Sequence, residues 1–122
     1  MVEPNFVILY VESARESATF YTELLGKGPV ESSANFAMFA LSSGVMLGLW
    51  TRRDVKPAAN AAGGGELAIT LADHAAVRAL CDEWRGRKLR IAQEPTEMDF
   101  GFTFVALDPD GHRLRVFAPK PQ

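Results

Sequence analysis

Apolar residues fall along this chain in two periods, and the two periods alternate. Phe6-Val7-Ile8-Leu9-Tyr10-Val11 is an unbroken β-branched and aromatic run behind Pro4. It predicts a strand covered on both faces. Ser13 follows, with Glu16 three residues on, the form of a capping box. Ala14, Ala18, Tyr21 and Leu25 then recur at helical spacing with Leu24 beside them, and Gly26 and Gly28-Pro29 end the helix. Phe36–Leu41 and Val45–Thr51 read as strands joined through Ser42-Ser43-Gly44, short enough for a hairpin, and a weaker strand is expected around Val30–Ser33. The order then returns. Glu66–Leu71 reads as a strand, Asp73 as an N-cap, and Val77, Leu80, Cys81 and Trp84 as a helical stripe closed by Arg85-Gly86-Arg87. Leu89–Gln93, Phe102–Leu107 and Arg113–Phe117 complete the set, the last two joined by the strong turn Asp108-Pro109-Asp110-Gly111.

Strand–helix–strand–strand–strand therefore occurs twice, with Ser13 matching Asp73 and Gly44 matching Gly111. This predicts an α+β fold of two βαβββ modules, neither able to cover its own sheet, packed around a shared space. Module one is expected over residues 1–51 and module two over 66–122. Residues 52–65, rich in Ala and Gly and without periodicity, are expected to form a flexible linker.

Composition narrows the function classes. At 122 residues the chain suits a single domain, and 48% apolar with 23% charged residues is an ordinary globular balance. Thirteen basic against fifteen acidic residues leave a net charge of −2, so no electrostatic attraction to nucleic acid or an anionic membrane is expected. No apolar run approaches the roughly 20 residues that cross a bilayer, and Met1-Val2-Glu3-Pro4 lacks signal-peptide form. One cysteine cannot make an internal disulfide, which points to a reducing cytoplasm.

Alternation along the strands sorts side chains between faces. Leu67, Ile69 and Leu71 belong under a helix, leaving Glu66, Ala68 and Thr70 on the other side. Val45, Leu47 and Leu49 likewise oppose Met46, Gly48 and Trp50, and Leu114 and Val116 oppose Arg113, Arg115 and Phe117. Gly48 in mid-strand suggests close approach by another group. Both faces of Phe36–Leu41 and Phe102–Leu107 are apolar, and the pattern leaves their inward side open.

Paired βαβββ modules, Tyr10-Val11 before a capped helix containing Phe20-Tyr21, and the closing Asp108-Pro109-Asp110-Gly111-His112 hairpin resemble the vicinal oxygen chelate superfamily. This is the fold of glyoxalase I, extradiol dioxygenases and bleomycin-resistance proteins, and the resemblance covers nearly the whole chain. It implies one domain, a curved mixed sheet around a groove with helices outside. Metal-dependent members hold a divalent ion through one residue on each of four strands. Carried over, those positions are Phe6, Gly48, Glu66 and Arg115, and of these only Glu66 offers a ligand atom. His74 and His112 lie elsewhere. No metal and no other cofactor is therefore expected.

Leu47-Gly48-Leu49-Trp50, Asp82-Glu83-Trp84, Glu94-Pro95, Asp99-Phe100-Gly101 and Thr103-Phe104 are similar to the phenazine-resistance and thiocoraline-binding type of drug-binding protein. That resemblance implies a homodimer without metal that holds a planar aromatic small molecule, plausibly an antibiotic. Trp50 is the first stacking candidate, set against a packing role at a dimer seam. Glu66 and Arg115 are expected to pair across strands. Alternatively Arg115 takes a ligand carboxylate. Of the Phe and Met residues near the groove most must be core, and Phe6, Phe39, Met46, Phe100 and Phe104 are the lining candidates, with residues 98–101 a rim or lid. Trp84 and Cys81 read as core, and Arg85, Arg87, Lys88 and Arg90 as a solvated helix end. The competing readings are a metal-dependent glyoxalase- or dioxygenase-like enzyme of the same fold, and a metal-free enzyme using Glu66 as base.

Overall fold

The computed structural model describes residues 5–56, 58–59 and 65–121. Its elements are β1 (Phe6–Val11), α1 (Ala14–Leu25), β2 (Glu31–Ser32), β3 (Phe36–Ala40), β4 (Met46–Thr51), β5 (Glu66–Thr70), α2 (His74–Gly86), β6 (Arg90–Met98), β7 (Gly101–Leu107) and β8 (Arg113–Pro119). The fold is α+β with two βαβββ modules. The chain divides into two compact units, Met1–Ala62 and Gly63–Gln122, each holding one module. Within the expected linker, Arg52–Asp54 form a 3-10 turn and Val55 is buried, so its first residues are not a featureless spacer. Positions 57 and 60–64 lie outside the described residues, as do residues 1–4.

Each module builds one mixed four-stranded sheet, in the order β1-β4-β3-β2 and β5-β8-β7-β6. The first and last strand of each module run parallel, because a helix carries the chain between them, and the remaining neighbours are antiparallel. Capping sets where each helix begins. The Ser13 hydroxyl accepts from the Glu16 N–H at 3.2 Å, and Asp73 accepts from the Ala76 N–H at 2.8 Å. Gly26, in the left-handed conformation, ends α1 and donates to the Thr22 carbonyl. Thr51 Oγ1 accepts from the Ala14 N–H at 3.1 Å and so pins the start of α1 to the end of β4.

One face of each sheet is closed by its helix. In the first unit Ala14, Ser17, Ala18 and Tyr21 bury against β3 and β4. In the second, Val77, Cys81 and Trp84 bury against the sheet, with Trp84 edge-on to Phe104 at 5.6 Å. The final turn is organised by Asp108. Its buried carboxylate accepts from the Asp110 and His112 N–H groups at 2.9 and 2.8 Å, and its carbonyl from Arg90 at 3.0 Å.

Three expectations are corrected. The β1 run is not covered on both faces: Phe6, Val7 and Ile8 are 39%, 38% and 44% exposed. It stands at the edge of its sheet, paired with β4, and α1 packs chiefly over β3 and β4. β6 does not stop at Gln93 but reaches Met98 through Pro95. An edge strand tolerates proline, and the register shifts around Gln93 absorb it. β8 runs two residues past Phe117, to Pro119, which pairs with Gly101.

Candidate functional site

The faces turned away from the helices carry the chemistry, and each unit supplies its own. In the first unit, cross-strand register lays Phe6 beside Met46 and Ala40, Ile8 beside Gly48 and Met38, and Tyr10 beside Trp50 and Phe36. Directly paired residues share a face, so this surface is almost wholly apolar. Trp50 sits edge-on between two rings, with Tyr10 and Phe36 each at 6.4 Å and interplanar angles of 83° and 88°. Gly48 lies under two more contacts: a Cβ there would stand 2.8 Å from Phe6 Cε1 and 3.1 Å from Phe36 Cζ. The two rings fold over the bare backbone of β4, which is why that position lacks a side chain.

In the second unit the helix-free face centres on Arg115. Its Nε and Nη2 donate to Glu66 Oε1 and Oε2 at 2.9 and 3.0 Å. Its Nη1 donates to Gln93 Oε1 at 3.3 Å and to Thr103 Oγ1 at 3.2 Å. One guanidinium thus ties all four strands, and the Thr103 hydroxyl donates in turn to the Val116 carbonyl at 2.8 Å. Hydrogen bonding from Arg115, and its charge, hold the Glu66 carboxyl below the usual carboxylate value of 4.5. Phe100, 43% exposed at the β6–β7 turn, lies 5.6 Å from the Arg115 guanidinium and edge-on to Phe117 at 5.7 Å. Residues 98–101 are thus a tight hairpin end rather than a loose lid.

Seven of the nine candidate residues lie on the two helix-free faces: Phe6, Met46, Gly48 and Trp50 on one, Glu66, Arg115 and Phe100 on the other. Phe39 and Phe104 are 0% exposed and belong to the helix-side cores, against Tyr21 and Trp84 respectively. Hairpin register carried that answer: Phe39 pairs with Leu47 and Phe104 with Val116, both core positions by alternation. Tyr10, Gln93 and Thr103 were not anticipated. Tyr10 follows from the parallel register of β1 with β4, whereas Gln93 depends on a bulge that no short motif announces.

Elsewhere in the second unit, Arg85 makes a bidentate pair with Glu94, and its Nη2 lies 3.6 Å from Cys81 Sγ. The basic helix end is therefore partly committed, not simply solvated. Burial pushes the Cys81 thiol up, which makes it a poor nucleophile. His74 stacks on Phe102 at 4.3 Å, on the helix side.

At the four positions that would hold a divalent ion, Phe6 and Gly48 present ring carbon and backbone, and Glu66 has both oxygens engaged by Arg115. This set does not fit a metal, which needs about three or more protein ligands. Among the described residues no cluster of three His, Cys, Asp or Glu side chains could hold one. Nor is any helix among them long and apolar enough to cross a membrane.

The family model described as Glyoxalase/Bleomycin resistance protein/Dioxygenase superfamily matches residues 4–116. The phenazine antibiotic resistance protein EhpR of Enterobacter agglomerans is 30% identical over 118 residues, 94% of this chain and 91% of that protein. The solution structure of protein ATC0852 from Agrobacterium tumefaciens is 46% identical, with a TM-score of 0.90 over 99% of this chain and 100% of that one. A glyoxalase-related enzyme from Fulvimarina pelagi shares the fold at 19% identity, with a TM-score of 0.82 over 97% of this chain and 88% of that one.

Proposed function

The chain belongs to the glyoxalase/bleomycin resistance protein/dioxygenase superfamily, and on that premise we propose that it is a metal-free protein that binds a planar aromatic small molecule, an antibiotic by analogy with its phenazine-resistance relative. The observation that carries this reading is the replacement of ligand-bearing residues by rings. Where metal-dependent relatives would place donors, this chain folds Phe6 and Phe36 over Gly48 and sets Trp50 beside them. Flat apolar surface of this kind gains by removing rings from water and by stacking. It offers nothing that polarises a carbonyl or activates water.

The mechanism is occupancy. The ligand leaves water, a ring lies against Trp50, and polar groups fix its orientation. Micromolar affinity requires only about −8 kcal/mol. Protection by sequestration is stoichiometric, so it needs protein at concentrations near those of the drug. A homodimer in the cytoplasm belongs to the same proposal.

A base at Glu66 is disfavoured, since its bidentate pairing with Arg115 keeps it ionised and weakly basic. Titrating the purified protein with phenazine-like and quinoxaline-like compounds while following tryptophan emission tests the binding reading. Quenching is expected in the wild type and in Trp84→Phe, with Trp50→Ala weakening affinity at least about tenfold, roughly 1.4 kcal/mol. No response to either class in the wild type overturns the reading. Metal analysis is expected to find no stoichiometric divalent ion; one ion per chain would favour the enzymatic alternative.

A further inference from the structure

We propose that the second unit carries an oxyanion site on its helix-free face, in which Arg113 and Arg90 close on one carboxylate or phosphoryl group across Leu107. The inference uses the second unit alone and stands apart from the aromatic-binding reading above. Strand register draws the site. Glu66 pairs with Arg113, Arg113 with Leu107, and Leu107 with Arg90, so these four side chains form one row across β5, β8, β7 and β6. Arg115, Val105 and Gln93 lie in the next row. Three guanidiniums and one carboxylate thus share the two rows. Glu66 is committed to Arg115 through both of its oxygens. Arg113 lies near enough to act on that carboxylate by charge, yet makes no hydrogen bond or ion pair among the described residues.

Two strand spacings put Arg113 and Arg90 roughly 10 Å apart at their Cβ atoms, a gap that two long side chains close from either side. Arg90 already leans toward its partner. Its Nη2 donates to the Asp108 carbonyl at 3.0 Å, which holds the guanidinium over the end of β7, on the way to β8. That bond uses one of the guanidinium's five N–H groups and leaves the others to a ligand. Both arginines are exposed, and Leu107 is half-buried between them. The leucine gives a bound anion an apolar floor, and the two forks match the oxygens of a carboxylate or phosphate. The nearest other charges are Asp108 and Asp110 in the following turn and Lys88, two residues before Arg90. The Asp108 carboxylate is buried and accepts from its own turn, while Asp110 and Lys88 are exposed and of opposite sign. With all of them included the neighbourhood stays positive. The whole chain carries −2, so the surplus is local to this row.

Nuclear magnetic resonance of the full-length protein at pH 7.5 tests the site, with inorganic phosphate and malonate as probes and sodium chloride as the control salt at matched ionic strength. The probes should give saturable shifts at the Arg90 and Arg113 Nε–H groups and at the Leu107 methyls. Arg113→Gln and Arg90→Gln should each weaken binding at least threefold. Lys120→Gln, beyond the far end of β8, should leave it unchanged. Tighter binding of phosphate assigns the site to phosphoryl groups, and tighter binding of malonate assigns it to carboxylates. Saturation with neither probe, or shifts that sodium chloride reproduces, overturns the site in the wild type and needs no variant to fold. A loss confined to one of the two arginine variants overturns the shared clasp. The aromatic reading stands or falls separately, on the response of tryptophan emission to phenazine-like and quinoxaline-like compounds.

Discussion

Two glycines show how differently the same residue type is constrained. At Gly101 an added Cβ would fall on the Ala118 carbonyl oxygen, a backbone atom, and φ is +153°. Gly101→Ala should therefore force β7 away from β8 and cost on the order of 1–3 kcal/mol, read as a lower urea midpoint. At Gly48 the obstacles are the far ends of the Phe6 and Phe36 side chains. Phe6 is partly exposed and can swing. Gly48→Ala should cost less than Gly101→Ala, about 1 kcal/mol, because ring ends rather than backbone must move, and it should shift the rings beside Trp50 and so change ligand affinity. Equal stability losses in the two variants would contradict this assignment. Gly48 was legible as a place of close approach because it interrupts an apolar strand. Which atoms approach was not, since Phe6 and Phe36 come from two other strands.

At the scale of elements, polar side chains that close backbone ends decide where strands and helices stop. Asp108 is buried with its carboxylate on two backbone N–H groups. Asp108→Ala strands both donors and should cost about 1–3 kcal/mol. Asp73 caps α2 through a single exposed bond, and Asp73→Ala should cost about 1 kcal/mol. Urea titrations of the two variants test the order, and a larger loss at Asp73 would refute it. Both residues were readable from the sequence because caps and turns are local. The extension of β6 through Pro95 was not, because proline is tolerated there only by virtue of an edge position that pairing alone confers.

For the molecule as a whole, acid should find the ion pairs first. Glu66, hydrogen-bonded by Arg115, and Glu94, hydrogen-bonded by Arg85, both titrate below the usual 4.5 in the folded protein. A depressed folded value means that each contributes stability above about pH 4.5 in full and loses it as pH falls through the lower folded value. Glu66→Gln should therefore be less stable than wild type at pH 7, with the difference shrinking below pH 4.5. A difference that stays constant from pH 7 to pH 3 would show that the pair contributes through packing rather than charge.

Hydrophobic periodicity, caps and turn residues determined the elements, their order and the duplication of the module, because those signals act between residues close in the chain. Alternation also sorted β4, β5 and β8 into helix-side and helix-free faces. Where both faces of a strand are apolar, alternation is silent, and tertiary pairing alone sent Phe36 to the helix-free face and Phe39 and Phe104 into the cores. The same pairing decided that Arg115 meets Glu66, Gln93 and Thr103 at once. Four strands converge on that guanidinium from positions up to 49 residues apart, and only the folded sheet brings them within hydrogen-bonding distance.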